Sequence, residues 1–407
     1  MGMSNYHLFS VQGIEIEYML VDKDSLDVMP YSDKILKSLA GNHVNETTLG
    51  EVGLSNELVM HVLELKNAEP KPPTPQVAQQ FQQTILELQP ILQDLNLKLL
   101  PTGAHPWMNP QTETHRWPYG NKAIYNQYNT IFNCEGHGWS NLQSMHVNLP
   151  FANDDEFNRL HNSIRLILPL LPALAASTPI LDGKATGALD SRLMFYEKNQ
   201  QKIPSISGKI IPEFITSKAQ YEQEILQPMY EAIKPYDPQG ILQYEWLNSR
   251  GAIAKFDYMA IEIRILDSQE CVNADLAIAH LIHAVLQSWL EQGPISLENS
   301  GSLQELKNIY DQSLHQGLDV IVDDKSILSS WQLPQRAMRL RDVWALLIER
   351  VSPSLDSTTQ HVLEHILHEG NLSERILRSC QGDFSKSNLK RIYNKLGDSL
   401  LINELFP

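Results

Sequence analysis

Cysteine is scarce in this chain. Its three residues, Cys134, Cys271 and Cys380, lie far apart, and there is no C-x-x-C. That spacing excludes a disulfide framework, gives no zinc signature, and fits a reduced, cytoplasmic location. Excess positive charge is also missing: 32 Lys and Arg face 48 Asp and Glu, for a formal net charge of −16. Broad binding to nucleic acid or to an anionic membrane needs a basic surface, so neither is expected as a partner. An anionic substrate such as a nucleotide would need metal ions as its counter-charge.

Long hydrophobic runs are absent too. The most apolar stretch, Leu166 to Leu181, is interrupted by Pro169, Pro172 and Pro179 and is too short to span a bilayer. At the start, Met1-Gly2-Met3-Ser4-Asn5-Tyr6 shows no basic region leading into an apolar one, and Tyr6 spoils a myristoylation match. Familiar catalytic signatures do not occur. Gly183-Lys184 lacks the earlier glycine of a P-loop, and Gly136-His137-Gly138 reaches Asn141 where a dinucleotide loop needs glycine. Neither G-x-S-x-G nor H-E-x-x-H is found. With 407 residues, 42% of them hydrophobic, and no repeats or low-complexity tracts, the composition is that of a globular protein able to bury a core.

What the chain has instead is acid on strands. Gly13-Ile14-Glu15-Ile16-Glu17 spaces two carboxylates by two residues, which puts Glu15 and Glu17 on one strand face and Ile14, Ile16 and Tyr18 on the other. Like charges held side by side on a half-buried face repel unless a cation lies between them or one is protonated. This pair reads as the first half of a divalent-metal site. In Ser144 to Leu149, Ser144, His146 and Asn148 face one way and Met145, Val147 and Leu149 the other. In Ile261 to Ile265, Glu262 and Arg264 share a face opposite Ile261, Ile263 and Ile265. Glu57 and Glu64 have odd spacing, so either Glu57 precedes its strand or a bulge re-aims it. One such strand would read as a sheet with a wet side; four dominated by Glu point to chemistry.

Between the strands the pattern turns helical. Lys66 to Gln76 is a Pro-rich connector into a helix from about Val77, whose stripe is Val77, Phe81, Ile85, Leu88 and Leu92. A strand is expected over Leu97 to Thr102, and helices near 156–176, 213–232 and 273–291. The tail from about 300 reads as helical throughout. Half-polar strands are not the continuous apolar runs of a parallel sheet, so the fold class is α+β with an antiparallel sheet.

Taken in order, Gly13 to Glu17, Glu57 with Glu64, Thr102-Gly103-Ala104-His105-Pro106, His146-Val147-Asn148, Ser177-Thr178-Pro179 to Gly183, Thr186-Gly187, Ser191-Arg192 and Ile261-Glu262-Ile263-Arg264 with Asp267 resemble the motifs of glutamate–cysteine ligase type 2, the carboxylate–amine ligases. The resemblance covers most of residues 10 to 290. It implies a glutamine synthetase-like catalytic fold: a curved antiparallel sheet with helices packed on its convex side, and a concave face holding ATP and two or three Mg2+ ions, with Mn2+ as a substitute. It divides the chain into a catalytic domain, 1–300, and a helical C-terminal region, 301–407, packing on it. It implies Glu15, Glu17, Glu57, Glu64, His146 and Glu262 as metal ligands, and Arg192 and Arg264 as catalytic charges on the substrate carboxylate or transferring phosphoryl group. It also implies Asn148, His105 and Arg250 as substrate contacts. The implied reaction activates a carboxylate, with glutamate's γ-carboxylate as the leading candidate, as an acyl phosphate that an amine such as cysteine then attacks. Charge compensation of this kind is what phosphoryl transfer demands of a protein.

The chain departs from the family pattern between Arg250 and Glu262, a segment longer than expected, and at Asp190 beside Ser191. The acid and the amine are therefore not fixed by the motifs. A phosphotransferase of the same superfamily and a non-catalytic nucleotide or metabolite sensor are the alternatives, and a homo-oligomer is left open. Arg192 has a plainer reading as a surface partner of Asp190, and His105 before Pro106 as a turn residue. His361, His365 and His368 share a helix face, a pattern commoner on exposed helices than in zinc sites. The aromatic stretch 113–139, with His115, Trp117, Tyr119, Tyr125 and Tyr128, reads as a long loop and a substrate lid, removable without loss of the fold.

Overall fold

The structure is a computed structural model describing residues 6–291 and 301–407. Strands β1 (Gly13–Asp22), β2 (Glu46–Leu49), β3 (Val52–Asn56), β4 (Val62–Asn67), β5 (Leu97–Leu100) and β6 (Ser144–Pro150) come first. A small hairpin, β7 (Ile180–Leu181) and β8 (Lys184–Ala185), precedes β9 (Ala252–Lys255) and β10 (Ala260–Asp267). Eight of these form one antiparallel sheet in the order β2-β3-β4-β1-β6-β10-β9, with β5 pairing to the C-terminal half of β1. The α+β reading therefore holds.

One face of the sheet is apolar because alternation makes it so. Ile14, Ile16 and Tyr18 of β1, Met145, Val147 and Leu149 of β6, and Ile261 and Ile263 of β10 are buried in one core. Helix Pro75–Asp94 covers that core with the stripe Val77, Phe81, Ile85, Leu88 and Leu92, and helix Val272–Glu291 adds Leu276, Ile282, Leu286 and Trp289. Pairing of β10 with β6 shifts between Ile263 and Leu266, so a bulge interrupts the alternation around Arg264 and Ile265.

Several boundaries differ from expectation. The strand after the first long helix ends at Leu100, and the run expected as one helix over 156–176 is Asp154–Ile167, a 3-10 turn at Leu168–Leu170, and Leu171–Ala175. Pro169 and Pro172 supply no backbone donors, which breaks the longer helix. Regular structure in the 213–232 stretch begins only at Lys218 and passes through a π turn, Glu222–Leu226, into Gln227–Ile233. The tail is not helical throughout, since β11 (Ile321–Val322) pairs with β12 (Met338–Arg339) between its helices.

The stretch 113–139 is also no loose loop. It holds helix Lys122–Phe132, and Trp117 is buried in the main core with its indole N–H donated to Asn45 at 3.0 Å. Removing it would open the core rather than only uncover a site.

The expected boundary near residue 300 falls outside the described residues. Residues 301–407 nonetheless pack on the sheet region: Trp331 and Trp344 sit in the same core and donate to the Leu166 and Leu170 carbonyls at 3.0 and 3.1 Å. Arg375, in helix Leu372–Cys380, forms a fully buried ion pair with Glu270, just after β10, and also donates to the Phe406 carbonyl. Among the described residues no helix is long and apolar enough to cross a membrane.

Breaking a buried ion pair by removing one partner strands the other charge, at a cost of about 3–5 kcal/mol. Glu270→Ala should therefore lower the denaturant midpoint by a corresponding amount, measured by urea unfolding; an unchanged midpoint would show that the tail is not anchored there.

Candidate active site

Strand register builds the polar face. Glu15 lies opposite His146 across β1 and β6, Glu17 opposite Glu64 across β1 and β4, and Asn148 opposite Glu262 across β6 and β10. The side chains then meet. His146 Nδ1 is 3.0 Å from Glu15 Oε2, and Asn148 Nδ2 donates to Glu15 Oε1 at 3.1 Å. Ser144 donates to Glu17 through its backbone N–H at 2.8 Å, and Ser55 Oγ donates to Glu64 at 2.6 Å. Two groups of ligand-type atoms lie within 4.8 Å of one another: Glu15, His146 and Glu262, and Glu17, Glu64 and His146. Glu57 follows β3 and precedes β4, so the first of its two expected placements is the observed one, and it lines the same cavity of about 1160 Å³.

The electrostatics of this face are those of crowded acids. Burial, then His146 and Ser144 pulling the other way and Glu64 adding repulsion, leaves the Glu17 carboxyl above its usual range. Burial and then Glu64, Glu17 and Glu15 push Glu57 well above it. Burial would raise Glu15 likewise, but the Lys255 ammonium and the His146 hydrogen bond outweigh it and hold that carboxyl low. Lys255 pairs directly with Glu262, and Arg264 Nε lies 3.1 Å from the other Glu262 oxygen while its Nη1 donates to the Asn248 carbonyl. Lys66 Nζ stands 3.4 Å from both Glu64 and Glu46. An oxygen-rich donor set with one imidazole, whose acids resist ionising together, suits a hard divalent cation such as Mg2+ or Mn2+.

The other expected residues divide. Arg192 does not pair with Asp190 on a surface. It is buried, with Nε bound to Asp267, while Asp190 caps helix Ser191–Tyr196 by accepting from Leu193 N at 2.9 Å. Arg192 lines the cavity, and its Nη2 has no hydrogen-bond partner among the described residues. His105 and Arg250, expected as substrate contacts, are not among the residues lining this cavity. His105 Nε2 meets the Leu26 carbonyl at 2.8 Å, and Nδ1 accepts from Met108 N at 3.0 Å. Arg250 grips Glu213 with Nε at 2.7 Å and Nη2 at 2.8 Å. Both have spent their polar atoms on the protein.

Residues that alternation did not single out complete the wall: Lys66, Lys255, Tyr125, Tyr128, Tyr196 and Trp246. Lys66 was within reach, being two residues beyond Glu64 on the same strand face. Tyr125 and Tyr128 belong to the 113–139 stretch, so that segment does border the cavity.

With this geometry in place, comparison with known proteins is decisive. The sequence profile of glutamate–cysteine ligase family 2 matches residues 11–395. The chain belongs to that family. An Archaeoglobus fulgidus protein named only "Uncharacterized protein" is 37% identical over 285 residues, covering 70% of this chain and 76% of that one. A Corynebacterium glutamicum protein named "Putative glutamate--cysteine ligase 2" is 24% identical over 281 residues, covering 67% of this chain and 66% of its own length. The fold is shared with a glutamate–cysteine ligase from Francisella tularensis in complex with AMP, at TM-score 0.67 and 16% identity over 97% of this chain and 89% of that one. The family match extends past residue 290, so the C-terminal helices belong to it as well. Membership makes the protein an ATP-dependent carboxylate–amine ligase, forming a carbon–nitrogen bond.

Because the folded Glu57 carboxyl titrates above its ordinary value of 4.5, its contribution to stability is intact below that pH and is lost as pH rises toward the folded value. Glu57→Gln should therefore raise the melting midpoint of the metal-free protein at pH 8 and leave it nearly unchanged at pH 4. A lower midpoint at pH 8 would contradict the crowded-acid picture.

Proposed function

We propose that this ligase is magnesium-dependent, that its acid is glutamate reacting through the γ-carboxylate, and that its acceptor is a small amine, with cysteine one member of that class. The observation that carries the reading is the pair of ligand groups meeting at His146 beside Arg264 on one sheet face. Glu15, His146 and Glu262 would hold one Mg2+ and Glu17, Glu64 and Glu57 the second or third, with Mn2+ able to replace them. Bound there, the ions would supply the positive charge that the nucleotide phosphates need.

The chain's own residues do the rest. Arg264 and Arg192 present guanidinium groups to a carboxylate or phosphoryl oxygen, with a fork geometry that a point charge does not reproduce. Asn148, held by Glu15, orients the acid substrate. Tyr125, Tyr128 and Trp246 wall the cavity and keep water from the reacting atoms. The γ-phosphoryl group of ATP moves to a carboxylate oxygen, breaking its bond to ADP. The amine nitrogen then attacks the acyl carbon, phosphate leaves with the bonding pair, and the amine gives up a proton. A cytoplasmic location accords with the use of ATP and with three buried free thiols.

The test is ADP release from MgATP with glutamate, with and without cysteine and then across a panel of amines. Release requiring both acid and amine is expected; release with the acid alone would favour a phosphotransferase, and nucleotide binding without release a sensor. Glu15→Ala and Glu262→Ala should each reduce turnover at least about a hundredfold, and Arg264→Lys should fail comparably. A fully active Glu15→Ala or Glu262→Ala variant would remove the metal assignment.

A further inference from the structure

Lys255 is the last residue of β9, and its ammonium is paired with Glu262, a carboxylate only 1% exposed and a member of the Glu15–His146–Glu262 group. It also exerts the largest attraction on Glu15, the second acid of that group. A lysine side chain is a flexible four-carbon stem carrying a compact charge, and this one keeps 24% exposure into the cavity. The other cations beside these acids are tied elsewhere: Arg264 to the Asn248 carbonyl, and Lys66 between Glu64 and Glu46. Lys255 instead has Glu262 as its direct partner, and among the other acids it attracts Glu15 most strongly and Glu64 after it. Its backbone cannot follow its head, because Lys255 pairs with Ala260 across a tight turn, Phe256–Tyr258 with Met259 at φ +53°.

We propose that Lys255 is a placeholder cation. In the ion-free protein its ammonium neutralises Glu15 and Glu262; when a divalent ion enters that group the ammonium is displaced into the cavity, where it becomes a ligand for the nucleotide phosphates. This rests on the metal reading above. An ammonium held on the Glu262 carboxylate repels an incoming divalent ion and competes with it for that acid, so the lysine opposes metal entry. Once displaced, its ammonium would find a new anionic partner in the phosphates of a nucleotide bound in the same cavity. Metal loading and phosphate binding are thereby linked through one side chain, with differential contacts in the two states.

The test is a binding experiment. Mn2+ is titrated into the nucleotide-free protein, and the loss of the free-ion electron paramagnetic resonance signal is followed for the wild type, Lys255→Met, Lys255→Arg and Glu15→Gln. Lys255→Met should bind Mn2+ at least about tenfold more tightly than the wild type, while Lys255→Arg, which keeps the charge, should stay near wild type. At saturating Mn2+, Lys255→Met should bind ATP at least about tenfold more weakly, with adenosine affinity unchanged. Mn2+ affinity equal to or below wild type in Lys255→Met would overturn the placeholder, as would ATP affinity that does not fall. If Mn2+ binding in the wild type is indifferent to Glu15→Gln, the metal reading itself fails, an outcome distinct from the other two.

Discussion

Repulsion among carboxylates fixed side by side is the constraint on which this structure turns. Antiparallel pairing sets Glu15 against His146, Glu17 against Glu64 and Glu262 beside Asn148, and the strands cannot slide to separate them without carrying their apolar sides out of the core. Apolar burial on one face therefore holds together acids on the other that would otherwise part. Burial first, and the neighbouring acids after it, displace the carboxyls of Glu17 and Glu57 upward, and relief comes from cations of the protein such as His146 and Lys66. The proposed magnesium ions would add divalent charge to that face and, with it, a counter-charge for a polyphosphate.

Such a face needs a stiff support, and the rest of the chain provides it. Two twenty-residue helices, Pro75–Asp94 and Val272–Glu291, cover the apolar side. The C-terminal helices reach the same core through Trp331 and Trp344, and Arg375 ties the far end of the chain to Glu270, three residues past Asp267. Asp267 in turn holds Arg192 at the cavity wall. An anchor in the tail is thus connected by a few contacts to a guanidinium at the cavity wall, which is how a scaffold keeps a charged group oriented.

Much of this was legible in the sequence because strand alternation has period two: spacing gave Glu15 with Glu17, His146 with Asn148, and Glu262 with Arg264 one face of each strand, the family resemblance implied a common site, and the structure lines one cavity with them. Glu57 resisted because it lies outside a strand, where period carries no information. The placement of His105 and Arg250 outside this cavity was illegible for a different reason. Their partners, the Leu26 carbonyl and Glu213, are 79 and 37 residues away, and nothing local reveals that a polar atom is already used. The 113–139 stretch looked like a loop because its polar and aromatic residues hide the short helix Lys122–Phe132, and the two-residue strands of the tail are too brief for any periodicity to register. Lys255 was passed over since its four-residue strand offers little alternation to read.

The most direct test of the central claim follows oxygen. An acid substrate labelled with 18O in its reacting carboxylate, turned over with unlabelled ATP and an amine, should give inorganic phosphate carrying one 18O per product formed, because the acyl phosphate passes a carboxylate oxygen to the departing phosphate. Phosphate free of label during acid- and amine-dependent turnover would contradict carboxylate activation on this sheet face.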